Sequence, residues 1–216
     1  MSIRRRWNVP LAAALACSIP FGAGAQELNG NEDFAPLAWR GFAEGVDGPH
    51  AEGSTDNSYA FSMAWFQGRL FVGTIRNVTD AVDQLLESLR AEIWRYTPAG
   101  PHGLSGSWER VYRSPLLWFT DIPWEIGYRN MLVCDAGDGV SRLYVATLGT
   151  LSGRILYTAD GETFRTASMR GFTGDDMGFR PLVCMNGWLF TSPVGLTEDS
   201  EGSLNPVVLG TSDPLR

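Results

Sequence analysis

A chain of 216 residues, 44% hydrophobic and 12% aromatic, is long enough to bury a sizeable core. Its 24 acids outnumber 17 basic residues, all of them arginine, giving a formal charge of −7. That balance repels phosphate backbones and anionic lipid, so nucleic acid and membrane surfaces are excluded as partners, and the absence of lysine excludes Schiff-base and phosphate-loop chemistry.

Residues 1–25 predict export. Arg4, Arg5 and Arg6 form a charged start, Leu11 to Phe21 is apolar but too short to span a bilayer, and Ala23-Gly24-Ala25 fits signal-peptide cleavage after Ala25. The expected location is therefore secreted or periplasmic, with no membrane insertion after cleavage. Cys17 follows Ala14-Leu15-Ala16, a poor match to a lipid-attachment box. Removing this segment leaves 14 arginines against 24 acids, a formal charge of −10.

Residues 26–57 carry Gly, Asn, Asp and Pro throughout and read mostly as loop. Within them, Trp39-Arg-Gly-Phe-Ala-Glu-Gly45 echoes Met169-Arg-Gly-Phe-Thr-Gly174. This stretch is expected to be the outer strand of a sheet unit whose other strands lie elsewhere.

From residue 58 onward one pattern is written three times: an apolar run, a tight turn, then a run ending in small residues. The second runs are Arg69–Thr74, Ser141–Thr147 and Gly187–Pro193, and strand-like runs follow at Ala91–Tyr96, Gly153–Tyr157 and Pro206–Gly210. Leu70, Leu143 and Leu189 stand at matching points, 73 and 46 residues apart. Repeats of small antiparallel sheets predict an all-β fold, a β-propeller of four-stranded blades at 58–115, 127–172 and an incomplete 178–216. About three blades cannot close a ring, so the chain reads as a fragment of a longer propeller or as a self-assembling unit. One short helical insertion is expected at Thr79–Arg90, where Val82, Leu85, Leu86 and Leu89 form an apolar stripe.

Strand alternation assigns the long segments 43–57, 75–90, 114–127, 173–177 and 193–205 to one rim and mostly short turns to the other. Long loops on one face of a rigid scaffold are where binding usually sits. The connection from Pro115 to Gly127 sets Trp118, Phe119 and Trp124 beside Asp121 and Glu125. Aromatic faces with carboxylates suit sugars, and Asp121 with Glu125 would be the acid pair of a glycosidase; the plainer reading is packed tryptophans and solvated acids. Arg129 and Arg180 occupy the same point of successive inner strands, where the first unit has Phe61. With Tyr128 they would face the channel mouth and clamp a carboxylate or phosphate. The competing and favoured expectation pairs each arginine with a loop acid such as Asp121, Asp175 or Asp176.

No cofactor or metal is expected. His50 and His102 are the only histidines and lie far apart, and Asp135-Ala-Gly-Asp138-Gly lacks the spacing of a calcium loop and reads as a plain turn. Cys134 and Cys184 are expected as two buried thiols rather than a bridge, because neighbouring inner strands would diverge.

Thr158-Ala-Asp-Gly-Glu-Thr-Phe164 is similar to a shortened Asp-box, one residue being missing between Asp160 and Gly161. Together with Gly68-Arg-Leu-Phe-Val-Gly-Thr74 and Ala91-Glu-Ile-Trp-Arg-Tyr96, it makes residues 58–212 resemble secreted bacterial β-propellers of the Asp-box (sialidase-like) and kelch-like kind, largely of unassigned function. The resemblance implies that Asp160 ties down a third-to-fourth-strand turn, away from any site. It also implies that Arg129 and Arg180 match two of the arginines with which sialidases hold a carboxylate; the catalytic tyrosine, its glutamate and the third arginine have no counterpart. The expected function is non-catalytic binding of an extracellular glycan or protein, with a sialidase-like hydrolase or lyase and an assembly scaffold as alternatives.

Overall fold

The computed structural model describes residues 37–38, 42, 45–47, 57–76, 89–100, 105–167, 176–195 and 207–215. The fold is all-β and antiparallel, and no α-helix occurs among the described residues. The described residues form twelve strands: β1 (Gly45–Asp47), β2 (Asn57–Phe66), β3 (Arg69–Arg76), β4 (Glu92–Ala99), β5 (Ser105–Arg113), β6 (Glu125–Asp135), β7 (Ser141–Gly149), β8 (Ile155–Thr158), β9 (Arg165–Thr166), β10 (Asp176–Met185), β11 (Trp188–Gly195) and β12 (Leu209–Thr211).

They fall into three meanders, β2–β5, β6–β9 and β10–β12. Two-residue turns close the first and third hairpins, Gln67-Gly68 and Asn186-Gly187, with positive φ at all four residues (50° and 75°, 52° and 77°). That turn geometry matches the twist of the flanking strands. The meanders join through single bridges, Ile75 to Gly127 and Leu148 to Gly178, and the sheet is not closed. Glycine is required at the second bridge, because a Cβ on Gly178 would lie 2.6 Å from the Thr147 carbonyl oxygen.

Packing explains why the meanders need one another. Along β7, Leu143 and Val145 join Phe66, Phe71, Ile93, Tyr128 and Leu156 in one core. The alternate residues Tyr144 and Ala146 join Ile155, Phe179, Leu182 and Leu189 in another. Side chains of a strand alternate between faces, so the second meander buries one face on the first and the other on the third. Each large apolar side chain so buried contributes about 1.5–3 kcal/mol.

Three expectations can be set against these strands. First, of the outer strand expected at Trp39–Gly45 only Phe42 and Gly45 are described, and β1 (Gly45–Asp47) pairs with β5, Gly45 opposite Trp108, as a fifth strand of the first meander. Phe42 is buried there against Trp94 and Trp108, and the Trp108 indole N–H donates to the Leu37 carbonyl at 2.9 Å. Second, Cys134 and Cys184 form a disulfide, with Cα atoms 6.0 Å apart. The ends of β6 and β10 come together at the turns that follow them instead of diverging. Third, the four-stranded unit expected at 127–172 has as its fourth strand β9, which is only two residues long. The helix expected at 79–90 lies outside the described residues but for Leu89 and Arg90; the Arg90 Nε donates to the Ser114 carbonyl at 2.7 Å.

Candidate functional site

The ladder of each first strand slips twice, and at equivalent places. Two residues oppose one at Ser58 and Phe61 of β2, at Ile126 and Arg129 of β6, and at Met177 and Arg180-Pro181 of β10. Bulges re-aim side chains and cluster beside functional sites. Pro181, which has no N–H to give a ladder, is well suited to such a position. The second bulge of each strand brings Phe61, Arg129 and Arg180 together around a cavity of about 330 Å³. Ser62 Oγ donates to the Tyr128 carbonyl at 2.7 Å, fixing β2 against β6 beside it.

The Arg129 guanidinium carbon stands 5.9 Å from the Phe61 ring centroid, within cation–π range. Burial, followed by the positive charge of Arg180, holds its pKa below the usual arginine value. Its Nε and Nη1 are buried and have no hydrogen-bond partner among the described residues. No carboxylate of the described residues pairs with Arg129 or Arg180, so the favoured expectation of loop-acid partners is not met by Asp121; Asp175 and the Asp176 side chain lie outside the described residues. Two like charges share a cavity with unfilled donors, and an anion would satisfy both features.

The aromatic connection is elsewhere. Residues 115–124 fold back as a small tongue, with a bridge between Leu116 and Pro123 and the Leu117 N–H donating to the Ile122 carbonyl at 2.7 Å. Trp118, Phe119 and Asp121 are exposed near its tip, and Phe119 takes a left-handed φ of 58°. None of them lines the cavity. Trp124 is half-buried beneath Arg154, whose Cζ is 5.3 Å from the indole ring.

Two residues expected at the site belong to the core. Glu125 is 1% exposed, and one carboxylate oxygen is held by Arg154, so this acid is neither solvated nor beside Asp121 in a free pair. Burial raises its pKa, and the Arg154 charge opposes that rise. Tyr128 is 0% exposed, and its hydroxyl donates to the Ala91 carbonyl at 3.5 Å. Its ring packs in the core with Leu143 and Val145, and it does not line the cavity that Arg129 lines.

The two acid-bearing turns are structural. Asp160 Oδ1 accepts from the Glu162 N–H, the Thr163 N–H and the Thr158 hydroxyl, each at 2.8 Å, and its carboxyl is held well below the usual range. Asp135 Oδ1 accepts from the Gly137 and Gly139 N–H groups at 2.9 and 3.0 Å, and no cluster of metal-ligating residues occurs among the described residues.

Arg154 was not anticipated: it sits 29 residues from Glu125, and no local pattern announces the pair. The cleft lined by Tyr144 and Trp188 at the opposite, short-turn end was likewise unforeseen. Neither a known protein family nor a curated protein matches this chain.

Proposed function

We propose that this protein is an exported β-propeller-type binding protein that holds an extracellular glycan or protein ligand through a carboxylate, using Arg129 and Arg180. The observation that carries this reading is the pair of buried N–H groups of Arg129 that have no partner among the described residues, in a cavity with a second arginine and no carboxylate among the described lining residues. Buried donors are rarely left unfilled, and a carboxylate accepts two guanidinium bonds side by side. Phe61 supplies an apolar wall for the carbon part of the ligand. Blade architecture is supported by the recurring bulges and by the equivalent bridges at Gly127 and Gly178. Export rests on the charged and apolar start and on the small residues before Gln26.

The hydrolase alternative is less well supported. Glu125 is engaged with Arg154 in the core and Asp121 lies on an exposed tip, so the two acids it would use are not presented together. The scaffold alternative rests on the segment at 79–90, of which only Leu89 and Arg90 are described.

Calorimetric titration with glucuronic acid, N-acetylneuraminic acid and a peptide bearing a free C-terminal carboxylate tests the binding reading. At least one should bind, and Arg129→Met or Arg180→Met should weaken it by about tenfold or more. Unchanged affinity in both variants, or preference for the uncharged amide of the same ligand, would remove the arginine pair from the site.

A further inference from the structure

A second concavity, of about 530 Å³, opens at the other end of the strands, between the turn after β6, the turn after β10 and the stretch after β12. Its walls include Asp138, Arg142, Tyr144, Asn186, Trp188 and Asp213. From this cleft we infer a binding site for a neutral carbohydrate, separate from the arginine cavity.

Four observations carry the assignment. Trp188 is 45% exposed and backed by Phe190, their rings nearly parallel with centroids 6.2 Å apart. A ring fixed from behind and open in front is the platform on which the C–H face of a sugar stacks. Tyr144 is 0% exposed, and its hydroxyl, near Arg142, makes no well-formed hydrogen bond among the described residues. Arg142 can only donate to this oxygen, so the buried phenol proton is left needing an acceptor, and a ligand hydroxyl supplies one.

Charge then selects the ligand class. The Arg142 guanidinium is held by both oxygens of Asp138, at 2.8 and 2.7 Å, so its attraction for an anion is already cancelled. What remains is a mixed set of carboxylate, amide and phenol groups, suited to hydroxyls that both donate and accept. The volume falls within the range of ordinary small-ligand pockets.

Finally, the walls are fixed in place. The disulfide joins Cys134 and Cys184, two residues before Ala136 and Asn186, so it clamps the two turns that flank the cleft. The turns touch so closely that a Cβ on Gly187 would lie 3.3 Å from the Gly137 Cα. Walls held in this way lose little freedom on binding, which is how a shallow site gains affinity.

The test uses the full oxidised chain on a printed array of neutral gluco-, manno-, galacto- and xylo-oligosaccharides, followed by tryptophan-fluorescence titration of whichever is captured. Capture is expected, with quenching that disappears in Trp188→Ala. Tyr144→Phe, which keeps the shape of the core, should weaken binding by about tenfold. Reducing the disulfide should weaken it too, whereas Arg129→Met and Arg180→Met should leave it unchanged. An array with no neutral saccharide captured overturns the proposal, as does equal affinity in Tyr144→Phe and the parent protein. Loss in the arginine variants but not in Trp188→Ala would move the binding to the other cavity and overturn it as well.

Discussion

Arg154 lies between Trp124 and Glu125: its guanidinium covers the indole face at 5.3 Å while Nε and Nη2 hold the buried carboxylate. The same side chain donates to the Tyr112 hydroxyl at 3.1 Å and to Thr166 Oγ1 at 3.2 Å, so it ties β5, β6 and β9 together. Removing it leaves Glu125 buried without its counter-charge. Arg154→Met is expected to cost about 3–5 kcal/mol at neutral pH, and Glu125→Gln introduced alongside should recover part of the loss.

The pH dependence of that loss has a definite sign. Burial raises the Glu125 pKa above its ordinary 4.5, and losing Arg154 raises it further. Above 4.5 the unfolded chain releases this proton while the folded chain keeps it, so stability falls as pH climbs toward the folded value. Urea unfolding of Arg154→Met from pH 4 to pH 8 should show a steeper decline than the parent protein. A flat difference between the two curves would mean that Glu125 does not carry the effect.

Asp160 acts in the opposite direction. Three hydrogen bonds to its charged form hold its pKa well below the ordinary 3.8, so its contribution is complete above that value and is lost as pH falls through the acid range. The turn it fixes also receives the Arg95 guanidinium on the Gly161 carbonyl at 3.2 Å and Gln67 Nε2 on the Ala159 carbonyl at 2.8 Å. Asp160→Ala should therefore loosen the contact between the first and second meanders. Unfolding midpoints from pH 6 to pH 2 should converge for Asp160→Ala and the parent only at the acid end.

Much of this fold could be read from the chain because hairpins announce themselves locally. Gln67-Gly68 and Asn186-Gly187, flanked by apolar runs, mark turns without any long-range information. The meeting of Phe61, Arg129 and Arg180 was legible for the same reason, since each falls at one point of a recurring strand. Glu125 and Tyr128 were misread because burial depends on what lies across the interface: Arg154 for one, and the core around Leu143 and Val145 for the other. Bulges compound the difficulty, because one extra residue shifts the alternation of faces that a sequence pattern assumes. The disulfide needed knowledge of where β6 and β10 end in space, which spacing alone does not carry.

Phe42 gives a test of how the N-terminal stretch is held. It packs edge-on to Trp108 at 4.8 Å and stacks on Trp94 at 5.7 Å, covering the face of the first meander that the second does not reach. Phe42→Ala should cost about 3–5 kcal/mol by truncating a buried ring. If the stretch is held mainly by this contact, limited trypsin digestion should cut Arg40 much faster in the variant. Equal cutting rates would assign the hold to the β1–β5 pairing instead.

The disulfide sets the last expectation. Cys134 and Cys184 close a loop with a sequence separation of 50, and restricting the unfolded chain over that length is worth about 4 kcal/mol in the chain-entropy account. The double change Cys134→Ser and Cys184→Ser should lower stability toward that figure, with the deficit visible in guanidinium unfolding at any pH between 5 and 8. Dithiothreitol should bring the parent protein to the same midpoint while leaving the double variant unmoved. The two turns beyond the cysteines are also held by the close approach of Gly137 to Gly187. Hydrogen exchange at Gly137, Gly139 and Gly187 therefore separates the two contributions: faster exchange on reduction assigns the clamp to the sulfur bond, and unchanged exchange assigns it to backbone packing.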